Sequence, residues 1–399
     1  MNELYKLPQG WEWKKLGDLT KLQNGFAFKS DLFVNTGLPI IRIKNIKHEK
    51  IILNDVVYFD KNDYLKNLDV YKIKINDILI AMSGATTGKL GFYQSNEEAY
   101  LNQRVGLFRI ENFNLRIYLF YFLSTQIEKN LEQSLGAAQP NLSTDQINNI
   151  DVPLPPLPEQ QTIVSKLDKL FTKIDTAITL HQKNIDEADI LMASILNEVF
   201  EELEEKYKII KIDDIVRIIG GGTPSKNKKE YWENGNIKWA TVGDMNVETI
   251  VNTELSVTEK GLKESSAHII PKEGIIIATR VGLGKVCYLA SNIAINQDLK
   301  GLIPLDKQID IRFLFNFFKY IKYYIIQNGT GTTVKGVKLD FIKQIQIPLP
   351  PLPIQQKVVA YLDKISNKIE KLKQLQKSKM TNLKALKASI LDQAFRGQL

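Results

Sequence analysis

Of its 399 residues, one is cysteine and three are histidine, and no apolar stretch is longer than a few residues. Each scarcity excludes something. A lone Cys287 rules out an internal disulfide or a thiolate metal cluster, and its neighbours Val286, Tyr288 and Leu289 suit a small buried hydrophobe. His48, His181 and His268 are scattered and show no metal-ligand spacing. Apolar runs such as Ile275 to Ala278 are far too short to cross a bilayer, and the Met1 to Gly10 start has neither a basic n-region nor an apolar h-region. No membrane association is expected, and a cytoplasmic location is. With 44% hydrophobic and 25% charged residues the chain reads as folded globular material, long enough for two or three cores.

Catalytic signatures are also missing. No paired carboxylates, no Ser/His/Asp order and no metal-binding cluster can be assembled, and the prolines are flanked by leucine rather than by the Asn/Asp-Pro-Pro-aromatic loop of an adenine methyltransferase. The segment Ser83-Gly84-Ala85-Thr86-Thr87-Gly88-Lys89 invites a P-loop reading. It has three residues between its glycines where four are needed, and Leu90 stands where a magnesium-binding Ser or Thr belongs. The chain is therefore expected to be no enzyme and to bind no cofactor.

What is present is a duplication with a period of 195 residues. Pro153-Leu154-Pro155-Pro156-Leu157-Pro158, followed by Gln160-Gln161, recurs as Pro348-Leu349-Pro350-Pro351-Leu352-Pro353 with Gln355-Gln356. The match runs without a gap through Leu167-Asp168-Lys169 and Leu362-Asp363-Lys364 to Ala193-Ser194-Ile195-Leu196 and Ala388-Ser389-Ile390-Leu391. A polyproline ligand is the competing reading of the proline run alone, but each copy leads straight into a helical pattern. Apolar residues at three-four spacing mark a seam: Ile163, Leu167, Leu170, Ile174, Ala177, Ala188, Leu191 and Ile195 in one copy, and Val358, Leu362, Ile365, Ile369, Leu372, Leu383, Leu386 and Ile390 in the other.

At ~1.5 Å per residue each helix would be ~60 to 70 Å long, suited to pairing with another helix. Residues 159–205 carry 4 basic and 11 acidic side chains and residues 354–399 carry 10 and 3, so the opposite net charges of −7 and +7 make the two copies partners. Both seams are interrupted at one register, His181 and Asn184 in the first and Gln376 and Lys379 in the second. Antiparallel pairing places His181 opposite Gln376. A polar layer of these four residues would fix the register; a wet stretch of a loosely packed seam is the competing reading.

Before each helix lies a segment of about 150 residues with matching landmarks. Lys15-Leu16-Gly17-Asp18-Leu19 answers to Lys211-Ile212-Asp213-Asp214-Ile215, and the Asn24-Gly25 turn to Gly220-Gly221-Gly222. Asn76-Asp77-Ile78-Leu79-Ile80-Ala81 answers to Glu273-Gly274-Ile275-Ile276-Ile277-Ala278, a turn feeding a buried strand. Each strand opens into a glycine-rich loop ending in Gly-Lys, Ser83 to Lys89 and Arg280 to Lys285, followed by Asn102-Gln103-Arg104 or Asn296-Gln297. A helix is expected next (Arg116 to Leu131; Ile311 to Ile326), then a turn at Gly136 to Asn141 or Gly329 to Thr333. The fold expected is α/β (α+β): two mixed domains, 1–152 and 206–347, and two helices, 153–205 and 348–399, forming an antiparallel coiled coil with pseudo-twofold repetition. The first domain is nearly neutral, whereas 206–353 carries +7 within a total of +8, which points to a polyanionic partner.

This layout resembles the specificity subunit of a Type I restriction-modification enzyme along the whole chain. Local phrases fit as well: Leu7-Pro8-Gln9-Gly10-Trp11, Gly221-Gly222-Thr223-Pro224-Ser225 before Tyr231-Trp232 and Ile237-Lys238-Trp239, and the two proline runs with their Gln-Gln pairs. The resemblance implies two target recognition domains, each reading half of a split, asymmetric double-stranded DNA site, with the helices holding the halves apart. It implies assembly with two modification subunits that methylate adenine from S-adenosylmethionine, and optionally with motor-nuclease restriction subunits using ATP and magnesium. None of those cofactors would bind this chain. Half-sites about one helical turn apart, ~34 Å, call for a rigid spacer of this kind.

Candidate DNA contacts are Thr86, Thr87, Lys89, Asn102, Gln103 and Arg104 in the first domain, and Thr223, Lys226, Arg280, Lys285, Asn296 and Gln297 in the second. Gln, Asn and Arg can read base edges, whereas Lys and Thr more often grip phosphates. For Asn102-Gln103 and Asn296-Gln297 a capped turn inside the domain competes. Two wider alternatives also stand: a scaffold whose twin domains bind proteins, and a methylation-only complex without a nuclease.

Overall fold

A computed structural model describes residues 5–47, 49–127, 130, 132 and 141–399. His48, the Leu131 end of the first expected helix and residues 136–140 of the first expected turn lie outside them. The chain divides into two compact units, one of Met1–Leu180 with Ser378–Leu399, the other of His181–Lys377.

In the first unit Glu12–Lys15 pairs antiparallel with Asp151–Leu154, tying the start of the sheet-rich part to its end. One sheet runs in the order Lys21–Asn24, Val105–Arg109, Ile78–Ala81, Leu90–Phe92, Glu49–Ile51, Ile46–Lys47. A second runs Phe33–Val34, Val57–Phe59, Leu38–Ile41, Ala99–Leu101, Lys72–Ile73. The second unit repeats the plan. Ile209–Lys211 pairs with Gln346–Pro348, and its sheets run Val216–Gly220, Leu299–Pro304, Ile275–Ala278, Val286–Leu289, Thr249–Ile250 and Leu255–Val257, Ile237–Ala240, Ile293–Ile295, His268–Ile270. Even the parallel pairings recur, Leu38–Ile41 with Ala99–Leu101 and Ile237–Ala240 with Ile293–Ile295.

The unbroken apolar strands are explained by this layering. Ile78 and Ile80 point into the core shared with helices, while Leu79 and Ala81 point into the core facing the second sheet. Ile275 and Ile277, against Ile276 and Ala278, do the same in the second unit. A strand covered on both faces has no position at which a polar residue would be solvated.

The longest helices among the described residues are α1 (Phe113–Ser124), α2 (Leu157–Lys206), α3 (Ile311–Tyr320) and α4 (Leu352–Phe395). Asn112 caps α1 by accepting from Leu115 N at 3.1 Å, and Asp310 caps α3 by accepting from Arg312 N and Phe313 N at 2.8 and 3.2 Å. The first helix thus starts earlier than its apolar pattern suggested. The second expected helix is split at Ile321, after which Lys322–Gln327 forms a separate helix.

With 50 and 44 residues, α2 and α4 span ~75 and ~66 Å. Each begins within the last residues of its proline run, at Leu157 or Leu352, and the run's geometry is locked by one side chain. The amides of Gln160 and Gln355, both buried, donate from Nε2 to the carbonyls of Pro155 and Pro350, at 2.8 Å in each copy. Gln355 also accepts from Asp310 N at 2.8 Å, which joins the start of α4 to the cap of α3.

The helices run antiparallel, and each unit takes part of both. In the first, Ile163, Val164, Leu167, Phe171 and Ile174 of α2 share a core with Ile390, Leu391, Ala394 and Phe395 of α4 and with Tyr118, Leu119 and Phe122 of α1. In the second, Leu196, Phe200 and Leu203 of α2 meet Val359 and Leu362 of α4 and Phe313, Leu314 and Phe317 of α3. The buried face differs from the heptad seam read from the sequence. Leu170, Leu191, Leu372 and Leu386 are exposed, whereas Val164, Phe171, Leu196, Phe200 and Leu203 are buried. A helix that must satisfy a domain as well as a partner helix buries a wider, rotated face than a two-stranded coil requires. Lys387 reaches Asp175 at 3.4 Å in the first unit and Lys373 reaches Asp189 at 2.8 Å in the second, the basic helix meeting the acidic one.

Candidate nucleic-acid interface

In each unit two connections lie side by side at the same end of the larger sheet. The first joins Ile78–Ala81 to its antiparallel neighbour Leu90–Phe92; its counterpart joins Ile275–Ala278 to Val286–Leu289. The other is the turn entering Val105–Arg109 or Leu299–Pro304. A backbone hydrogen bond locks each pair, from Met82 N to Arg104 O at 3.0 Å and from Thr279 N to Asp298 O at 2.9 Å. Position for position, Ser83 therefore corresponds to Arg280, and Arg104 to Asp298.

The glycine turns flagged by the sequence support these connections from behind. A Cβ on Gly25 would lie 2.1 Å from the carbonyl oxygen of Asn102, and one on Gly221 2.1 Å from that of Asn296. No other residue fits at either place. Gly84 and Gly88 (φ +79° and +83°), and Gly282 and Gly284 (+69° and +84°), hold the loops in left-handed turns.

The first unit's candidates fall into two groups. Thr87 is buried and its hydroxyl donates to Gly84 O at 2.6 Å, closing the loop on itself. The Thr86 hydroxyl is enclosed by protein. Asn102 is half-buried, with Oδ1 3.5 Å from Arg104 N. Lys89, Gln103 and Arg104 present exposed side chains.

In the second unit Asn296 is buried and its Oδ1 accepts from Asp298 N at 3.2 Å, the same turn-closing contact. Gln297 is exposed and accepts the Thr223 hydroxyl at Oε1. Lys226 is exposed, Lys285 donates to Asn246 Oδ1 at 2.7 Å, and Arg280 is ion-paired with Asp298 at 3.4 Å. Lys300, on the strand leaving the turn, has its ammonium pushed below the usual lysine range by burial. Asp298 does not stand out in the sequence, because an acid breaks the charge pattern expected of a nucleic-acid contact. Nor does the sequence indicate a role for the turn at Thr330–Gly336, closed by reciprocal backbone bonds of 2.9 Å and joined to Thr279 O through Val337 N at 2.8 Å.

Of the four residues expected in a polar helix layer, the structure brings two together. His181 Nδ1 lies 2.5 Å from Gln376 Oε1, both half-buried, while Asn184 and Lys379 are exposed. A three-residue step turns a side chain about 60° off the seam, enough to reach water.

The described residues contain no group of three His, Cys, Asp or Glu able to hold a metal, and no helix long and apolar enough to cross a membrane. Cys287 is buried, donates to Val247 O at 3.0 Å and has its thiol pushed up to about 12 by burial, a packed residue rather than a reactive one.

Comparison with known proteins agrees with this architecture. The family described as the Type I restriction modification DNA specificity domain matches twice, over residues 8–187 and 204–379, and the chain belongs to that family. The StySPI Type I restriction enzyme specificity subunit of Salmonella potsdam is 25% identical over 426 aligned positions, which cover 99% of this chain and 90% of that protein. The fold is shared with a chain from a structural study of complex assembly and conformational transition of the type I restriction-modification system (TM-score 0.74, 21% identity, 99% of this chain and 100% of that one). It is also shared with the HsdS subunit of Thermoanaerobacter tengcongensis (TM-score 0.50, 21% identity, 99% of each).

Proposed function

We propose that this chain is the non-catalytic, DNA-reading subunit of a Type I restriction-modification complex, required for both adenine methylation and restriction by the assembly. Residues 1–152 and 206–347 act as target recognition domains for the two halves of a bipartite, asymmetric site, and the helices of 153–205 and 348–399 set the spacing between the halves. Two modification subunits, and optionally two restriction subunits, complete a cytoplasmic assembly and carry its cofactors.

The observation that carries this reading is the pairing of loops in both units on one scaffold with different side chains. Ser83 and Arg104 occupy the places of Arg280 and Asp298, while the strands, glycine approaches and backbone locks around them are the same. A fixed frame with exchanged polar tips suits two readers of different sequences. In this reading Lys89, Gln103, Arg104, Thr223, Lys226, Arg280, Lys285 and Gln297 face DNA, while Thr86, Thr87, Asn102 and Asn296 shape the loops that carry them.

The test is selection from a randomised duplex pool by the full chain assembled with its modification subunits. Two conserved half-sites at constant separation are expected. Gln103→Ala with Arg104→Ala should degrade one half-site and Arg280→Ala the other, and Lys89→Ala should weaken binding to all duplexes, lowering the salt slope by about one. Enrichment of no sequence, with stable capture of other proteins by either domain, would instead identify a protein scaffold.

A further inference from the structure

Three of the second unit's candidate readers, Arg280, Gln297 and, through Gln297, Thr223, are joined through one carboxylate. Asp298 is only 13% exposed at its side chain, and its oxygens are divided between neighbours. Oδ1 lies 3.4 Å from Arg280 Nη1, while Oδ2 lies 3.5 Å from both Asn296 Nδ2 and Gln297 Nε2. Gln297 in turn accepts the Thr223 hydroxyl. The main chain of Asp298 is fixed as well: its N–H donates to Asn296 Oδ1, and its carbonyl accepts from Thr279 N at 2.9 Å and Thr279 Oγ1 at 3.1 Å.

The stem of Arg280 is confined from the other side. Gly336 packs so closely that a Cβ there would lie 3.1 Å from Arg280 Cγ. The Arg280 side chain as a whole is 56% exposed. A long, flexible cation is thus held at its base by backbone and at one nitrogen by an acid, while more than half of the side chain remains open to solvent.

An acid in this place works against non-specific affinity, since it repels phosphates. Its gain is geometric. Arginine distinguishes guanine by donating two parallel hydrogen bonds to O6 and N7, and that fork loses its selectivity if the side chain is free to slide to a phosphate. We propose that Asp298 is a positioning residue for base recognition, holding Arg280 so that its guanidinium reads a guanine edge in the second half-site rather than neutralising the DNA backbone. The inference rests on the reading of this surface as DNA-facing and adds to it the base class and the residue that enforces it. The first unit has no equivalent acid, because Arg104 stands at that position, so its selectivity is independent of this device.

The experiment measures base preference and overall affinity separately, with the full chain assembled with its modification subunits and a randomised duplex pool sequenced before and after binding. Asp298→Asn keeps the side chain's shape and removes its charge. The preference for guanine at one position of the second half-site should fall roughly tenfold or more, while affinity for random-sequence duplex rises and the first half-site is unchanged. A merely structural role would lower both affinities together. Asp298→Glu, which restores the charge, should recover part of the preference, and it decides the matter if the Asn variant melts below the wild type. The inference is overturned if Arg280→Ala erases a guanine preference that Asp298→Asn leaves intact. Absence of any base preference at the second half-site in the wild type would overturn the reading of the surface itself.

Discussion

Nδ1 of His181 lies 2.5 Å from the amide oxygen of Gln376, and the two residues are separated by the repeat period, 195 positions. In an antiparallel pair of repeat-related helices, equivalent residues can face each other at only one level. This hydrogen bond marks it.

Replacing His181 alone with leucine strands the Gln376 amide, and stability should fall by about 1 to 3 kcal/mol. The double leucine variant should regain that loss yet relax the register, as coiled coils do when a polar contact is removed. Cysteines at Asp189 and Lys373, which now form an ion pair at 2.8 Å, report the native register by disulfide trapping. In the double variant trapping should spread to cysteines at Ile369 or Lys377. Unchanged stability and trapping would remove the register role.

Gly25→Ala and Gly221→Ala should each cost at least ~1 to 3 kcal/mol, because the new methyl would meet a main-chain oxygen that cannot rotate away. Gly220→Ala is the control, since its Cβ would find nothing nearer than the Lys300 ammonium at 3.8 Å. Thermal unfolding of the three variants checks the contrast; equal shifts would refute it.

Phe200 is fully buried, stacked on Tyr320 at 5.1 Å and in contact with Phe313 and Phe317. Phe200→Ala should destabilise by about 3 to 5 kcal/mol in urea titrations. The first new protease cleavages should fall within His181–Lys377.

The helix ion pairs should matter far less. Asp189 is 63% exposed at its side chain, so Asp189→Lys should cost under about 1 kcal/mol, and the loss should vanish at high salt. Pairing it with Lys373→Asp should restore the wild-type melting temperature. A loss of several kcal/mol would mean that the pair is desolvated in solution.

Much of this architecture is written in the sequence, for identifiable reasons. The duplication, the helices at the proline runs and the apolar strands at Ile78 and Ile275 are local patterns, and so are the glycine turns, although their close approach to Asn102 and Asn296 emerges only from the fold. The second sheet of each unit was not legible, since its strands are two to four residues long and pair between distant segments, beyond what periodicity registers. Leu170 was read as core and Phe171 missed, because the helix answers to a domain as well as to its partner. Arg280 could be picked out by residue type. Asp298 could not, since its importance lies in three neighbours that only the fold assembles.

The division of α2 between two cores has a consequence for how the protein comes apart. Ile163 to Ile174 belong to one core and Leu196 to Leu203 to the other, along a single uninterrupted helix. Melting either core frays a rod that the other depends on, and α4, with Ile390 to Phe395 in one core and Val359 and Leu362 in the other, is shared in the same way, so helix propagation carries cooperativity from one core to the other. Prolines introduced midway in both helices, near Leu180 of α2 and Lys377 of α4, would cut that transmission and turn one calorimetric transition into two.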